Sequence, residues 1–106
     1  MNWVFGDCEL SEELFRLKRA GRVVKLEPKI FHVFRFLIRN RERVVSKAEI
    51  LDHVWPGEAI SESVLPRSIA LIRRAVGDSR ATPKVIETVH GHGYRFVAPI
   101  AGPASS

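Results

Sequence analysis

Short apolar runs separated by turn-forming residues occupy the first 26 positions, a pattern that is typical of strands. The runs "WVF" and "CEL" flank Gly6-Asp7, residues 14–19 alternate apolar and basic side chains imperfectly, and "RVVKL" follows a turn at Ala20-Gly21. This pattern predicts a small antiparallel sheet with one face towards solvent.

The apolar spacing becomes helical from Glu27 to Asn40. Pro28 fits the first helical turn, where its missing N–H costs nothing, and Asn40 is a plausible end. Because the stretch is so apolar, we expect this helix at the centre of the core. Its apolar residues recur at helical spacing: Ile30, Phe31, Val33, Phe34, Leu37 and Ile38.

A second helix is predicted after Ser46, following two extended valines. Ser46 and Glu49 stand three residues apart, as in a capping box, which satisfies free N–H groups at a helix start. Pro56-Gly57 ends the helix. The predicted buried stripe consists of Ala48, Ile50, Leu51, Val54 and Trp55.

A third helix is predicted over about 63–76, with Gly77 as its stop. Pro66 would remove an internal hydrogen bond if Ser61 were the cap. With Ser63 as the cap, Pro66 falls at the third helical position, whose N–H is free anyway. We therefore expect a regular helix from about Ser63, without a kink. Its apolar face consists of Leu65, Ile69, Ile72 and Val76.

The chain closes with two β-rich runs, "KVIETV" (84–89) and "YRFVAPI" (94–100). The four residues between them, "HGHG", suit a hairpin loop, in which Gly91 and Gly93 would supply backbone angles that other residues avoid. The pattern therefore predicts an α+β fold. The second and third helices form a helix-turn-helix pair, and the hairpin lies beside them as a wing.

Length and charge narrow the kinds of partner. The 106 residues suit one small domain, and 17 Lys and Arg against 12 Asp and Glu give a net charge of +5, which favours an anionic partner such as nucleic acid. Acidic residues dominate positions 1–13, whereas cations predominate from Arg16 onward.

The single Cys8 excludes an internal disulfide and fits a reducing compartment. Without a signal peptide or a membrane-spanning apolar run, a cytoplasmic domain is expected.

The third helix carries cations opposite its apolar face. At about 100° per residue, its outward positions are Ser63, Arg67, Ala70, Leu71 and Arg74, with Arg73 on a flank. Arginine can bond guanine edges bidentately or grip phosphates, Ala70 would allow close approach, and Leu71 could meet a thymine methyl. Such a helix fits the major groove of DNA, although a solvated surface face remains the alternative.

The stretches "FGDCEL", "SIALIRRAVGD" and above all "VIETVHGHGYRF" resemble the DNA-binding domain of OmpR/PhoB-type response regulators. This winged helix-turn-helix module also occurs at the N-terminus of ToxR- and CadC-like regulators. The resemblance runs from about Val4 to Val97 and implies an N-terminal four-stranded antiparallel sheet, three helices and a C-terminal β-hairpin wing. It implies sequence-specific binding of double-stranded DNA by a bacterial transcriptional regulator. Helix 63–76 would lie in the major groove and wing 85–97 on the minor groove or backbone.

The resemblance also implies roles for individual residues. The implied base-facing residues are Pro66, Arg67, Ala70 and Leu71. The implied phosphate contacts are Ser68, Arg73, Arg74, Thr88 and the indole N–H of Trp55. The exposed Ser63 and the wing residues His90, His92 and Arg95 complete the expected DNA-binding set. His90 occupies a wing position where many members have arginine, and a neutral histidine attracts the DNA backbone less.

Partners and domain layout follow from the same resemblance. The loop "PGEAIS" (56–61) matches the family's transactivation loop, which faces RNA polymerase, and paired binding to direct repeats is expected. The domain is expected to span 1–98, and 99–106 reads as a linker or disordered tail. We expect a ToxR/CadC-like layout, in which a part after the linker could anchor the whole protein in a membrane. A piece cut from a receiver-containing regulator is the alternative.

An enzyme or a metal site is a weaker interpretation. The four histidines include no His-x-x-x-His pair, and no Cys-x-x-Cys pair exists. The "GHG" run enters a strand and not a helix, unlike a phosphate-binding loop. We expect no cofactor, no metal, no catalytic residue and no small-molecule substrate. The remaining alternative is a winged-helix protein–protein interaction module, which a surface poor in clustered arginine would favour.

Overall fold

The computed structural model describes residues 1–101, so 102–106 of the predicted tail lie outside the described residues. The predicted α+β order of sheet, three helices and hairpin is confirmed. The elements are β1 Asn2–Phe5, β2 Cys8–Ser11, β3 Arg16–Arg19, β4 Arg22–Val24, α1 Pro28–Arg39, β5 Val45–Ser46, α2 Lys47–Val54, α3 Val64–Val76, β6 Ile86–Val89 and β7 Gly93–Phe96.

The strands β1 to β4 form an antiparallel meander with one buried face. Its register places Leu10 opposite both Trp3 and Leu17, and all three side chains are buried. The expectation of a strand from residue 14 is wrong. Leu14 and Phe15 lie in the turn before β3, because Phe15 takes a φ of 52°, which a strand cannot contain.

The helix α1 lies at the centre of the core, as its apolar spacing predicted. All six of its predicted core residues are buried. The ring of Phe5 in β1 meets Phe34 of α1 edge-on at 5.8 Å between centroids, and meets Phe96 of β7 at 5.2 Å. These three rings join the first sheet, the helices and the wing in one core.

The predicted capping box at the start of α2 is confirmed. The Glu49 N–H donates to Ser46 Oγ at 3.1 Å, and the Ser46 N–H donates to the Glu49 carboxylate at 3.0 Å. The predicted buried stripe is partly wrong, because Ala48 is exposed while Ile50 and Val54 are buried. Ala48 stands about 200° around the helix from Ile50, so the two cannot share one narrow buried face.

The helix α3 begins at Val64 with Ser63 as its N-cap, as predicted. Pro66 is the third helical residue, where no helical hydrogen bond is lost. Gly77 ends the helix in the left-handed region, with a φ of 74°. The predicted core residues of α3 are buried: Leu65, Ile69, Ile72 and Val76.

The hairpin of β6 and β7 joins β5 in a three-stranded sheet, β5-β7-β6. Its loop holds three residues, His90 to His92, and not the four that were expected. Gly91 has a φ of 77°, as a turn glycine should. Gly93 instead lies within β7, where a Cβ would stand 1.9 Å from the Val45 carbonyl oxygen. The expectation that Gly93 serves the turn is therefore wrong, and its role is close strand approach.

The start of the predicted tail lies against the first sheet. The Ala101 N–H donates to the Val4 carbonyl oxygen at 2.7 Å, and Ile100 is partly buried against the core. Among residues 1–101, no helix combines the length and hydropathy that crossing a membrane requires.

Candidate nucleic-acid interface

One face of α3, with its N-cap, is exposed to solvent: Ser63, Pro66, Arg67, Ala70 and Arg74. The spacing of three and four residues aligns these side chains along the helix. The Arg67 Nη2 lies 3.7 Å from Glu27 Oε2, and both side chains are more than half exposed. Because such a surface pair contributes little, Arg67 remains available for another partner.

A cleft of about 620 Å³ separates this face from the wing. Pro66, Ala70 and Arg74 line it on the α3 side, and Thr88 and His90 line it on the wing side. The expected base-reading helix and the expected wing thus border one concave surface. Sequence reasoning missed two further cations in its lining, Lys47 and Arg80.

Ser68 and Leu71 of α3 were expected to contact DNA, but neither side chain is exposed. Ser68 is fully buried, and its Oγ donates to the Val64 carbonyl oxygen at 2.7 Å, so its hydroxyl does not face an external phosphate. Leu71 is half-buried in a second groove between α3 and β4, beside Val24 and Ala75. The first sheet covers this flank, which the helical spacing alone could not indicate.

Arg73, expected to contact phosphate, is buried between α3 and the wing. Its Nη2 donates to the Ile86 carbonyl oxygen at 2.8 Å and to Thr88 Oγ1 at 3.0 Å, and its Nε lies 4.0 Å from Asp78 Oδ2. Burial lowers the pKa of Arg73, and the Asp78 carboxylate opposes that shift. Arg73 and Thr88, both expected on phosphates, therefore bond to each other, and Arg73 fastens α3 to β6.

Asp78 anchors the segment that leads into the wing. Its carboxylate accepts hydrogen bonds from the N–H groups of Lys84, Val85 and Ile86 at 2.7, 3.1 and 3.0 Å, and its side chain is 1% exposed. Burial alone would raise the pKa of Asp78, but these N–H groups hold it below its usual range. Sequence reasoning missed this residue, although an aspartate directly after a helix-ending glycine is a recognisable loop signal.

The remaining expected residues fall around the same surface. Trp55, the C-cap of α2, is only 8% exposed, so an indole contact with phosphate would depend on a small exposed edge. His90 lines the cleft, whereas His92 and Arg95 are exposed outside its lining. The Arg95 Nε donates to the Arg41 carbonyl oxygen at 3.3 Å, which directs this side chain towards the segment after α1.

The groups considered for enzyme or metal chemistry do not converge. Within residues 1–101, no three His, Cys, Asp or Glu side chains gather as a metal site would require. Cys8 is buried, and burial together with the neighbouring Asp7 raises the pKa of its thiol to about 11. A thiol with that pKa is a poor nucleophile at neutral pH.

Known proteins match this sequence and this fold. The family described as "Transcriptional regulatory protein, C terminal" matches residues 21–96. The phosphate regulon transcriptional regulatory protein PhoB of Rhizobium meliloti (strain 1021) is 37% identical over 90 residues, which are 84% of this chain and 39% of PhoB. The chain therefore spans well under half of that relative's length.

Two solved structures show the same fold. The response regulator DrrB, a Thermotoga maritima OmpR/PhoB homolog, is 30% identical with a TM-score of 0.82, over 91% of this chain and 44% of DrrB. The DNA-binding domain of E. coli CadC is 24% identical with a TM-score of 0.80, over 96% of each chain. The chain thus belongs to the OmpR/PhoB-type family of transcriptional regulatory DNA-binding domains, which is not a family of enzymes.

Proposed function

We propose that this chain is the DNA-binding domain of a bacterial transcriptional regulator, that it lies in the cytoplasm, and that it binds a specific sequence of double-stranded DNA. α3 would lie in the major groove, and the wing of β6 and β7 would lie on the neighbouring minor groove or backbone. The observation that carries this proposal is the exposed face of α3 with Arg67, Ala70 and Arg74, which borders a cleft to the wing through Ala70 and Arg74.

The dimensions of α3 suit this role. Its 13 residues give a length of roughly 20 Å, and a helix of this diameter enters a major groove about 12 Å wide. The side chain of Ala70 is short, so that bases could approach the helix closely between Arg67 and Arg74. Arginine at either end could bond guanine or phosphate.

The first experiment is a selection of bound sequences from random duplex DNA, followed by titration of the selected duplex at two salt concentrations. We expect affinity to fall steeply with salt, because bound cations release counterions from the phosphates. A protein that enriches no sequence, or whose affinity ignores salt, would contradict the proposal.

Arg67→Ala tests base reading by α3. We expect a loss of about 1–3 kcal/mol on the selected duplex together with relaxed sequence preference. Glu27→Gln is the matched control, because it removes the carboxylate beside Arg67 and keeps the guanidinium. An equal loss on selected and random duplexes would assign Arg67 to phosphate instead.

Paired binding is part of the proposal. Two copies would bind direct repeats about one helical turn apart, as the family resemblance implies. Footprinting on duplexes with one or two copies of the selected site tests this. Protection of a single half-site on the repeat duplex would contradict it.

The loop at 56–61 is proposed to contact RNA polymerase. Its Glu58 is exposed and lies 3.9 Å from Lys29 Nζ, on the surface after α2. In transcription with the full-length regulator, Glu58→Ala should alter transcript yield and leave DNA affinity unchanged. Unchanged yield for alanine substitutions throughout the loop would remove this contact from the proposal.

A further inference from the structure

The cleft between α3 and the wing collects positive charge from separate parts of the fold. Lys47 begins α2, Arg74 lies near the end of α3, and Arg80 lies in the segment between α3 and β6. Arg73 and His90 also line the cleft. Among the described residues that line it, Asp78 is the one carboxylate.

Groups inside the protein already compensate the negative charge of Asp78. Its side chain is 1% exposed, accepts three backbone N–H bonds and lies 4.0 Å from the Arg73 Nε. Lys47, Arg74 and Arg80 take part in no ion pair with any group of residues 1–101. Three cations without a counter-charge therefore face one concave surface, where the walls focus their field.

Arg73 gives an independent indication that an anion belongs here. Its side chain is nine-tenths buried in the lining of the cleft, and its Nε has no hydrogen-bond partner in the described chain. Because its Nη2 is bonded to β6, Arg73 holds this N–H donor in a fixed position behind the surface. Asp78 balances its charge, so the net positive charge of the cleft comes from the three cations without an ion pair.

We propose that this cleft holds one phosphodiester of the DNA backbone, bound by Lys47 and Arg80 together with Arg74. The inference rests on the proposed function and adds Lys47 and Arg80 to it. A phosphodiester offers two charged oxygens, which an arginine fork and an ammonium group can share. Since the contact involves no base edge, it fixes the position of the duplex and does not read its sequence.

The test compares the wild type with the double variant K47A/R80A on the selected and on a random duplex. We expect the double variant to bind both duplexes about tenfold more weakly. We also expect the slope of log affinity against log salt to decrease in magnitude by about 0.9, as for one phosphate. Lys84→Ala is the matched control, since Lys84 is an exposed cation of the same segment outside the lining of the cleft. Thermal unfolding verifies that each variant folds.

Single methylphosphonate substitutions in the selected duplex locate the phosphate. One position should weaken binding by the wild type and have a clearly smaller effect on K47A/R80A, because the variant retains only Arg74 of the three cations at that phosphate. Equal sensitivity of the variant and the wild type at every position, an unchanged salt slope, or an equal effect of Lys84→Ala would overturn the inference. Failure of the wild type to bind DNA would instead overturn the proposed function.

Inorganic phosphate without DNA distinguishes a free anion from the DNA backbone as the ligand. We expect phosphate to perturb the NMR signals of Arg80 and Lys47 no more than sulfate does at equal ionic strength. Saturable binding of phosphate alone, with DNA binding unaffected by K47A/R80A, would overturn the assignment to DNA.

Discussion

Gly91 and Gly93 stand two residues apart in the wing but meet different constraints. Gly91 has a φ of 77°, and a Cβ there would meet nothing within 4 Å. Gly93 lacks a positive φ, yet a Cβ there would stand 1.9 Å from the Val45 carbonyl oxygen and 3.0 Å from the Ser46 Cα. Sequence alone presents both as turn glycines, because only the pairing of β7 with β5 creates the second constraint.

This difference predicts unequal effects of the two alanine substitutions. We expect Gly91→Ala to lower the free energy of unfolding by about 1–2 kcal/mol, which is the strain of a left-handed alanine. We expect Gly93→Ala to lower it by about 3 kcal/mol or more, since rigid backbone must move. Chemical denaturation of both variants measures this, and an equal or smaller loss for Gly93→Ala would contradict the close-approach role.

Ser68 allows a direct test of a buried residue on the DNA-binding helix. Its hydroxyl bonds the Val64 carbonyl within α3 and does not reach the exposed face. We expect Ser68→Ala to leave DNA affinity and its salt slope unchanged and to alter stability by no more than about 1 kcal/mol. Arg74→Ala, on the exposed face, should decrease the salt slope in the same assay. A decrease for Ser68→Ala would restore its expected phosphate contact.

At the scale of elements, α3 and the wing are joined by two charged side chains. Asp78 binds the N–H groups that lead into β6, and Arg73 binds the Ile86 carbonyl and Thr88. The wing is therefore fixed relative to α3 by one side chain of the helix and one that follows it. The groups that they bond lie 6–15 residues further along the chain, so the apolar periodicity of α3 could not indicate them.

Asp78 should make the stability of the domain depend on acidic pH. Because its folded-state pKa lies below the usual value of 3.8, ionised Asp78 stabilises the fold at neutral pH, and this contribution is lost as the pH falls through that value and then through the lower folded-state pKa. We expect Asp78→Asn to lower the free energy of unfolding by about 2–3 kcal/mol at pH 7. The difference from the wild type should shrink with acidification. A constant difference from pH 7 to pH 3 in chemical denaturation would contradict this account.

The capping box of α2 allows a matched comparison with α3. Hydrogen bonds from the Arg43 side chain and then the Ser46 backbone lower the pKa of Glu49 to about 2. We expect Ser46→Ala to destabilise the fold by about 1 kcal/mol. Ser63→Ala should have almost no effect, because Ser63 is the N-cap of α3 but makes no capping bond. Equal losses in the two variants would show that capping is not the cause.

The elements that sequence reasoning located correctly share strong local signals. α1 and α3 have regular apolar faces, and α2 has its capping box. The errors fall where the outcome depends on neighbours. Ala48 is exposed because α2 packs through Ile50 and Val54, and Leu71 is half-buried because the first sheet covers that flank.

In the candidate site, too, the local sequence pattern located some residues, whereas others come together only through the packing of the whole molecule. The exposed positions Arg67, Ala70 and Arg74 follow from the period of α3 alone. Lys47 and Arg80 join them only through the packing of α2 and of the segment after α3, so no pattern along the chain indicates them. Family resemblance placed Arg73 on phosphate, whereas the structure gives it partners inside the protein.

The extent of the folded domain is the remaining whole-molecule question. The sequence predicts a boundary at residue 98, yet residues 99–101 run beside β1, with the Ala101 N–H on the Val4 carbonyl and Ile100 partly buried. We expect a chain ending at Ala98 to unfold with a free energy about 1–2 kcal/mol lower than a chain ending at Ala101, through lost apolar burial and one lost hydrogen bond.

DNA affinity should be the same for these two chains, because residues 99–101 do not line the cleft between α3 and the wing. Ile100→Ser in the longer chain separates the side-chain contribution from the backbone bond, and should account for part of the loss. Equal stability of the two chains in chemical denaturation would keep the boundary at 98. A stability difference together with unchanged DNA binding would extend the domain to Ala101, because the segment then supports the sheet without forming part of the DNA surface.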